Sequence, residues 1–152
     1  MEKKIIVDAD SCPFSEEIIT IAQKYDTELI FVFSTSHISE YPLTIKTVLV
    51  DNQKEAADIA IANLVCSGDL VVTQDYGLAS MVLARSGQIL LTSGMIVTEE
   101  NIEQLLYFRH QSAKNRKKRV RVKGPRKLTK EDRLFFIGQF EKILQRMLNV
   151  GG

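Results

Sequence analysis

Five polar residues with the chemistry of a metal site follow apolar segments of the chain. Asp8 and Asp10 come directly after the first apolar run, and Thr73 and Asp75 come at the end of a later one. Asp58 lies in a segment with helical spacing that follows another apolar run. Carboxylates that meet repel one another and raise each other's pKa unless a cation holds them together. The residue types therefore indicate a hard, oxygen-binding ion such as Mg²⁺ or Mn²⁺.

The reaction that such a site supports is phosphodiester hydrolysis. Where two divalent ions bind, one activates a water molecule and the other stabilises the leaving oxygen. We expect Asp8, Asp58 and Asp75 to hold the metal and to act as the catalytic groups, with Asp10 as an additional ligand. Each aspartate also has a structural alternative, since Asp at a strand end or a helix start often stabilises a turn or a cap. Asp58 and Asp75 are the least easily explained in that way.

The elements that must position these residues alternate along the chain. Short apolar runs are typical of buried parallel strands, and the segments between them have apolar residues at helical spacing. We predict strands at residues 3–8, 29–33, 46–50, 70–73 and 88–91, and helices that begin near Pro13, Asn52, Tyr76, Thr98 and Thr129. This alternation requires right-handed crossovers. We therefore expect a three-layer α/β fold with a mostly parallel five-stranded sheet and helices on both faces.

One edge of this sheet collects the candidate residues. In an open parallel sheet, ligands bind where the strands end and the following helices begin. Asp51 and Glu55 fall on the same edge, but Asp51 suits a turn and Glu55 has capping-box spacing with Asn52. Asp69 stands at the start of the fourth strand, so we expect it at the opposite edge, outside the site.

The charge of the chain is divided between two parts. Residues 1–106 contain 6 Lys and Arg against 16 Asp and Glu, whereas residues 107–152 contain 14 against 3. The stretch 114–127 contains no acid and nine cations, which are Lys114, Arg116, Lys117, Lys118, Arg119, Arg121, Lys123, Arg126 and Lys127. A basic segment on an acidic body suits a polyanion, so we expect these residues to bind nucleic acid. A solvated tail is the alternative.

The chain is expected to form one domain over residues 1–152. Its length is sufficient for a core that needs neither disulfide nor structural metal. We predict an acidic α/β body over residues 1–113, a basic arm over residues 114–127, and a C-terminal helix over residues 128–149 that docks on the body. Thr129 and Asp132 have the spacing of a capping box for that helix.

Several other classes of protein are disfavoured. The longest apolar runs fall far short of the roughly 18 residues of a membrane span, and no signal-peptide pattern is present. The two cysteines, Cys12 and Cys66, make no secreted framework, so we expect a soluble, cytoplasmic protein that binds no membrane. Cys12 has no partner histidine in sequence, and His37 and His110 indicate no metal cluster. No glycine-rich nucleotide-binding loop follows the first strand.

The arrangement of motifs resembles the YaiI/YqxD family of bacterial proteins over nearly the whole chain. The matching motifs are DADSCP at residues 8–13, the helix of Asp58, GDLVVTQD at residues 68–75, Leu78-Ala79, Gly124-Pro125 and Asp132-Arg133. That family looks like a branch of the PIN-like superfamily of metal-dependent nucleases, which mostly cut RNA. The resemblance implies that Asp8, Asp58 and Asp75 are three acids of a PIN-like site. It also implies that Thr73, beside Asp75, positions the substrate. The usual fourth acid of such a site has no clear counterpart in this sequence, and we assign it to Asp10.

Three functions are compatible with these patterns. The first is a PIN-like, metal-dependent ribonuclease that uses Mg²⁺ or Mn²⁺, with RNA expected rather than DNA. The second is a non-catalytic RNA-binding or regulatory protein, in which the acids cap helices and the basic arm binds. The third is a phosphatase of the haloacid dehalogenase type, since Asp8 and Asp10 after the first strand resemble its nucleophile and acid. Oligomeric state and base preference are not predicted.

Overall fold

The computed structural model describes residues 2–34, 45–53, 55–117 and 128–149. In these parts of the chain one sheet contains β1 (Lys4–Asp8), β2 (Glu28–Ser34), β3 (Lys46–Val50), β4 (Leu70–Thr73), β5 (Gln88–Leu91) and β6 (Ile96–Val97). The helices are α1 (Ser15–Lys24), α2 (Ala56–Leu64), α3 (Tyr76–Ala84), α4 (Ile102–Lys117) and α5 (Lys130–Asn149). A 3₁₀ turn, Ala9–Ser11, follows β1.

The sheet confirms the predicted α/β class. Its strand order is β3-β2-β1-β4-β5-β6, and β1 to β5 all run parallel. The chain moves outward from the central strand β1 to β2 and β3, then returns to β4 on the other side. Ligands of open parallel sheets bind at such a reversal of strand order, outside the carboxyl ends of the strands. Here that point lies between the ends of β1 and β4.

The predicted strand number of five was wrong, because β6 adds an antiparallel edge. Ile96 pairs with Leu90, and Val97 pairs with Ile89. Gly94 in the connecting turn has a φ of +92°, which a residue with a side chain rarely adopts. A strand of two residues is too short to show the alternating pattern that reveals strands in a sequence.

Helices cover both faces of the sheet, as predicted. Along β1, Ile5 and Val7 join the core under α1 and α5, whereas Ile6 joins the core under α2 and α3. On the first face, the rings of Phe14 and Phe136 stack with their centroids 4.6 Å apart. The alternation of apolar side chains along a strand buried on both faces thus produces the three layers.

The C-terminal helix α5 is part of the core. Its buried side chains are Phe136, Phe140, Ile143, Leu144 and Met147. The capping box predicted for its start is present, because the Thr129 N–H donates to Asp132 Oδ2 at 3.0 Å and the Asp132 N–H donates to Thr129 Oγ1 at 3.1 Å. No helix in the described ranges combines the length and apolar character that crossing a membrane requires.

The predicted basic arm is described only in its first residues. Helix α4 continues to Lys117, so the backbone of Lys114, Arg116 and Lys117 is helical, although their side chains lie outside the described part. The other six cations lie outside the described residues altogether: Lys118, Arg119, Arg121, Lys123, Arg126 and Lys127.

Candidate functional site

Asp8 and Thr73 end the two strands that flank the reversal of strand order. Asp8 is 8% exposed and Thr73 is fully buried. The Thr73 hydroxyl donates to Asp8 Oδ2 at 2.9 Å, and it accepts the N–H of Asp75 at 3.0 Å. The Ser11 hydroxyl donates to the same Asp8 oxygen at 3.2 Å. Two neutral hydroxyls therefore fix the orientation of the Asp8 carboxylate without neutralising it.

The second oxygen of Asp8, Oδ1, faces the solvent side of this edge. The hydrogen bonds of the Asp8 side chain within the described structure all use Oδ2. Every fully buried polar side-chain atom in the described ranges has a partner, so Oδ1 must be reached by solvent. Burial raises the pKa of Asp8, the hydrogen bonds of Thr73 and Ser11 oppose that rise, and the charges of Asp10 and Asp75 add to it.

Asp75 caps helix α3. Its Oδ1 accepts the N–H of Gly77 at 2.8 Å and the N–H of Leu78 at 3.2 Å, which supplies partners to two N–H groups at the helix start. This carboxylate, which the sequence did not explain as a cap, therefore has a structural role. The role does not remove its charge from the site, because a carboxylate has about four acceptor positions.

Asp58, in the first turn of α2, lies close to Asp75 and Asp8. Its pKa is raised to about 6, first by burial and then by the charges of Asp75 and Asp8. A hydrogen bond with Asp75 raises it further, and Glu55 adds a smaller repulsion. Carboxylates that lie this close to one another repel, and a proton or a cation relieves the repulsion. Asp8, Asp58 and Asp75, from three separate elements, thus form one electrostatically coupled group.

Asp10 lies beside this group, but the hydrogen bond described for its side chain is made with β2, outside the group. It is part of the 3₁₀ turn, and its Oδ2 accepts the N–H of Ser34 at the end of β2, at 3.0 Å. Its charge helps to raise the pKa of Asp8. Asp51 and Glu55 are exposed on the same edge of the sheet. Asp10 therefore joins β1 to β2 as well as adding negative charge.

The donor chemistry of the coupled group fits a magnesium-like ion. Among the side chains that the structure describes, no three His, Cys, Asp or Glu residues are arranged to hold a metal ion together. Mg²⁺, however, keeps several waters and is usually bound by one or two carboxylates together with substrate phosphates. The hydrogen-bonded pair of Asp58 and Asp75, with Asp8 near it, supplies oxygen donors of that kind.

Two residues at the site were not predicted from sequence. Ser11 donates to Asp8, and Gln74 Nε2 donates to the main-chain carbonyl of Ser11. The spacing of three residues between Asp8 and Ser11 is one at which a side chain bonds to a turn, and this was the available signal. At Cys12, next in the chain, burial raises the pKa of the thiol to about 11, which disfavours the thiolate that a nucleophile requires.

Comparisons with known proteins agree with the resemblance noted in the sequence. The model of a family described as "Uncharacterized BCR, YaiI/YqxD family" matches residues 6–146. A UPF0178 protein of Bacillus velezensis is 48% identical over 147 residues, which cover 94% of this chain and 86% of the relative. A UPF0178 protein of Halalkalibacterium halodurans is 42% identical, covering 97% of this chain and 94% of its own length. No solved structure matches the chain significantly. The chain therefore belongs to the YaiI/YqxD family.

Proposed function

We propose that this protein is a PIN-like, metal-dependent nuclease that hydrolyses phosphodiester bonds, with RNA as its substrate. The observation that carries the proposal is the convergence of Asp58, Asp75 and Asp8 at one edge of the sheet, where burial first and then the charges of Asp75 and Asp8 raise the pKa of Asp58 to about 6. At neutral pH this group concentrates negative charge beside the reversal of strand order. A divalent cation bound among these carboxylates would relieve their mutual repulsion.

Each residue of the site has a separate task in this proposal. Asp8 presents Oδ1 while Thr73 and Ser11 hold its other oxygen, and Asp58 and Asp75 supply further carboxylate oxygens. Bound Mg²⁺ or Mn²⁺ supplies the Lewis acidity and positive charge that phosphodiester hydrolysis needs. The nine cations of residues 114–127 supply the attraction for the backbone of a nucleic acid. Such a protein works in the cytoplasm, where RNA is made and degraded.

Calorimetric titration with Mn²⁺ tests the site without requiring a known substrate. We expect the wild type to bind Mn²⁺ and Asp58→Asn to lose at least about tenfold in affinity, because even the loss of a group that only supports a metal ligand costs about tenfold to 100-fold. Asp51→Asn is the matched control, because Asp51 is an exposed aspartate at the same edge that is not part of the coupled group. Equal binding by all three proteins, or none by the wild type, would contradict the metal site.

Cleavage of single-stranded RNA in Mn²⁺ tests the reaction itself. Wild type and Asp51→Asn should cut the RNA, whereas Asp8→Asn and Asp58→Asn should not. Mn²⁺ binding with no cleavage of RNA or DNA would retain the metal site and reject the nuclease.

A non-catalytic RNA-binding protein is the second candidate. It is favoured by the cap that Asp75 makes on α3 and by the bond between Asp10 and Ser34, since both acids then have structural tasks. In that case the triple variant Lys117→Ala, Lys118→Ala, Arg119→Ala abolishes RNA binding while Asp58→Asn does not affect it. The phosphatase alternative would use Asp10 as its acid, and no contact of Asp10 described above favours that role.

A further inference from the structure

An exposed aromatic ring lies beside a cleft at the carboxyl edge of the sheet. Phe135, near the start of α5, is 55% exposed, although rings of this size usually pack into a core. Residues three and four apart share one face of a helix, so Phe135 lies on the same face of α5 as Asp132 and Gln139. Asp132 lines the cleft together with Ser11 and Gln74, which both belong to the site described above. This face of α5 is therefore next to the candidate site.

The turn between β5 and β6 holds the ring of Phe135 in place. Gln139 Nε2 donates to the main-chain carbonyl of Gly94 at 3.2 Å, which joins the turn to the same face of α5. A Cβ atom at position 94 would collide with Cδ2 of the Phe135 ring, so glycine allows the ring to lie against the backbone of the turn. One side of the ring is thus supported by protein, while more than half of the residue remains in solvent.

Phe14, a buried ring at the start of α1, shows what Phe135 lacks. Phe14 stacks on Phe136, and the guanidinium of Arg133 lies 5.4 Å from its centroid. Among the residues that the structure describes, no ring and no cation lies over Phe135. An aromatic face that is fixed in position and open to solvent can accept a second flat ring without a change in the fold.

The charge of the adjoining sequence indicates the source of that ring. Arg126 and Lys127 directly precede Leu128, which lines the same cleft. They are the last of the nine cations of residues 114–127, and such cations attract the phosphates of a nucleic acid. Proteins that bind single strands combine a basic surface with exposed aromatic side chains on which successive bases stack. In a duplex the bases already stack on one another, so an unpaired base suits Phe135 best.

We propose that Phe135 is a stacking platform for an unpaired base of a nucleic acid strand that reaches the carboxylate group, which makes single strands the substrate class. The inference rests on the proposed function, because it places a nucleotide beside the same site. The ring holds this nucleotide in position, and the carboxylates act on the neighbouring backbone. Since every base has a flat face, such a platform selects single strands over duplexes rather than one sequence over another.

Fluorescence anisotropy with a labelled single-stranded RNA measures the contribution of the ring. The full chain is used in Ca²⁺, and cleavage in Mn²⁺ is followed separately. We expect Phe135→Ala to bind the strand about fivefold or more weakly than the wild type, as loss of a stacked aromatic does. Phe135→Leu, which is apolar but has no flat face, should lose nearly as much, whereas Phe135→Tyr should bind like the wild type. Phe108→Ala is the matched control, because Phe108 is 53% exposed on α4 and does not line the cleft.

The Phe135→Trp variant reports stacking directly. The chain contains no Trp, so this variant has a single indole, and a base that stacks on an indole quenches its fluorescence. We expect the single strand to quench Phe135→Trp strongly and the matched variant Phe108→Trp little. A strand that carries the same backbone without bases should not quench Phe135→Trp, and neither should a duplex of the same sequence.

The outcomes separate this inference from the nuclease proposal. Weaker binding by Phe135→Ala, with no cleavage by the wild type, would retain the stacking platform and reject the nuclease. Cleavage that depends on Asp58, with equal affinities of the wild type and Phe135→Ala, would retain the nuclease and overturn the platform. Equal losses in Phe135→Ala and Phe108→Ala, quenching by the strand without bases, or no binding by the wild type would also overturn it.

Analytical ultracentrifugation separates a nucleic acid surface from a contact between two copies of the chain. Met95 and Leu134, the sequence neighbours of Gly94 and Phe135, are also exposed, and apolar surfaces of this kind occur in protein interfaces. A wild-type dimer that Phe135→Ala converts to monomers, with unchanged RNA affinity, would overturn the stacking platform. Phe135 belongs to neither core cluster, so we expect its variants to fold, and thermal unfolding of each variant checks this.

Discussion

The two ends of strands β1 and β4 carry buried aspartates in opposite electrical environments. At the amino ends, Asp69 is 1% exposed, and its carboxylate accepts hydrogen bonds from the ammonium of Lys4 at 2.6 Å and from the N–H groups of Lys4 and Cys66. At the carboxyl ends, Asp8 accepts from hydroxyls, and Asp58 shares a hydrogen bond with another acid. Asp69, which has a cationic partner within the fold, stabilises the native state. In the described part of the chain no cation contributes to the environment of Asp8 or Asp58, and a ligand can relieve the repulsion that these two acids experience.

The largest expected effect is at the amino ends. Asp69→Ala leaves the mostly buried Lys4 ammonium and two N–H groups without their acceptor. Breaking one side of a buried ion pair costs about 3 kcal/mol, and Tm should fall by roughly 6–12 °C. Urea unfolding followed by circular dichroism measures the loss. A loss below about 1 kcal/mol in the free energy of unfolding would mean that the Lys4–Asp69 ion pair contributes no more than an ion pair at the surface. That result would contradict the difference drawn here between the two ends of the strands.

Thr73→Val should have the next largest effect. The variant removes a hydroxyl donor from the buried Asp8 carboxylate and an acceptor from the Asp75 N–H. We expect a loss of about 2 kcal/mol in the free energy of unfolding. Thr92→Val is the matched control, because its hydroxyl has no partner in the described structure and its removal should change stability little. Equal losses in the two variants would show that the measured effect is one of packing.

Asp58→Asn should stabilise the protein at neutral pH, in the opposite direction to Asp69→Ala. The pKa of Asp58 is about 6 in the fold against 3.8 for an unperturbed Asp, so the native state binds more protons between these values. Wild-type stability therefore falls as pH rises through that window. After discounting for solvent screening, we expect the variant to gain about 1 kcal/mol, or about 2–4 °C in Tm, above the window. Below about pH 4 the gain should vanish, and thermal unfolding at both pH values checks this.

The smallest effect should come from an acid whose cationic partner is largely exposed to solvent. Glu141 accepts hydrogen bonds from the Tyr25 hydroxyl and the Lys24 ammonium, and these bonds lower its pKa. The Lys24 side chain is 65% exposed, so solvent and salt weaken the pair. Glu141→Gln should leave the Tm within measurement error at physiological salt. A loss as large as that of Asp69→Ala would show that a cationic partner is sufficient without burial.

The edge on which each acid lies was predictable from the sequence, because it depends only on whether the residue starts or ends a strand. Asp69 was placed at the amino edge and Asp8 at the carboxyl edge, and the structure agrees. The partners of each side chain were not predictable, since they depend on elements far apart in the chain. The Asp75 cap, the bond of Asp10 to Ser34 and the unpaired Thr92 hydroxyl all became visible only in three dimensions.

The starts of two helices also show that the partners of a side chain are only partly predictable from the sequence. Thr129 and Asp132 form the predicted capping box, but the box predicted from Asn52 and Glu55 does not form as expected. Helix α2 begins one residue after Glu55, which therefore occupies the cap position and makes no side-chain capping bond. The spacing of a capping box requires Glu at the third helical position, and a shift of the helix start removes it.

The position of α5 has a consequence for how the chain folds. Tyr25 contacts Glu141 across 116 residues of sequence, and the rings of Phe136 and Phe140 complete the core against residues near the amino terminus. Contacts of such long sequence separation form slowly, because closing a long loop costs entropy before any contact is gained. While the chain is being synthesised, the part of this sheet face that α1 does not cover stays exposed until α5 emerges. A nascent chain stalled before α5 would therefore expose a hydrophobic surface that chaperones bind or that aggregates.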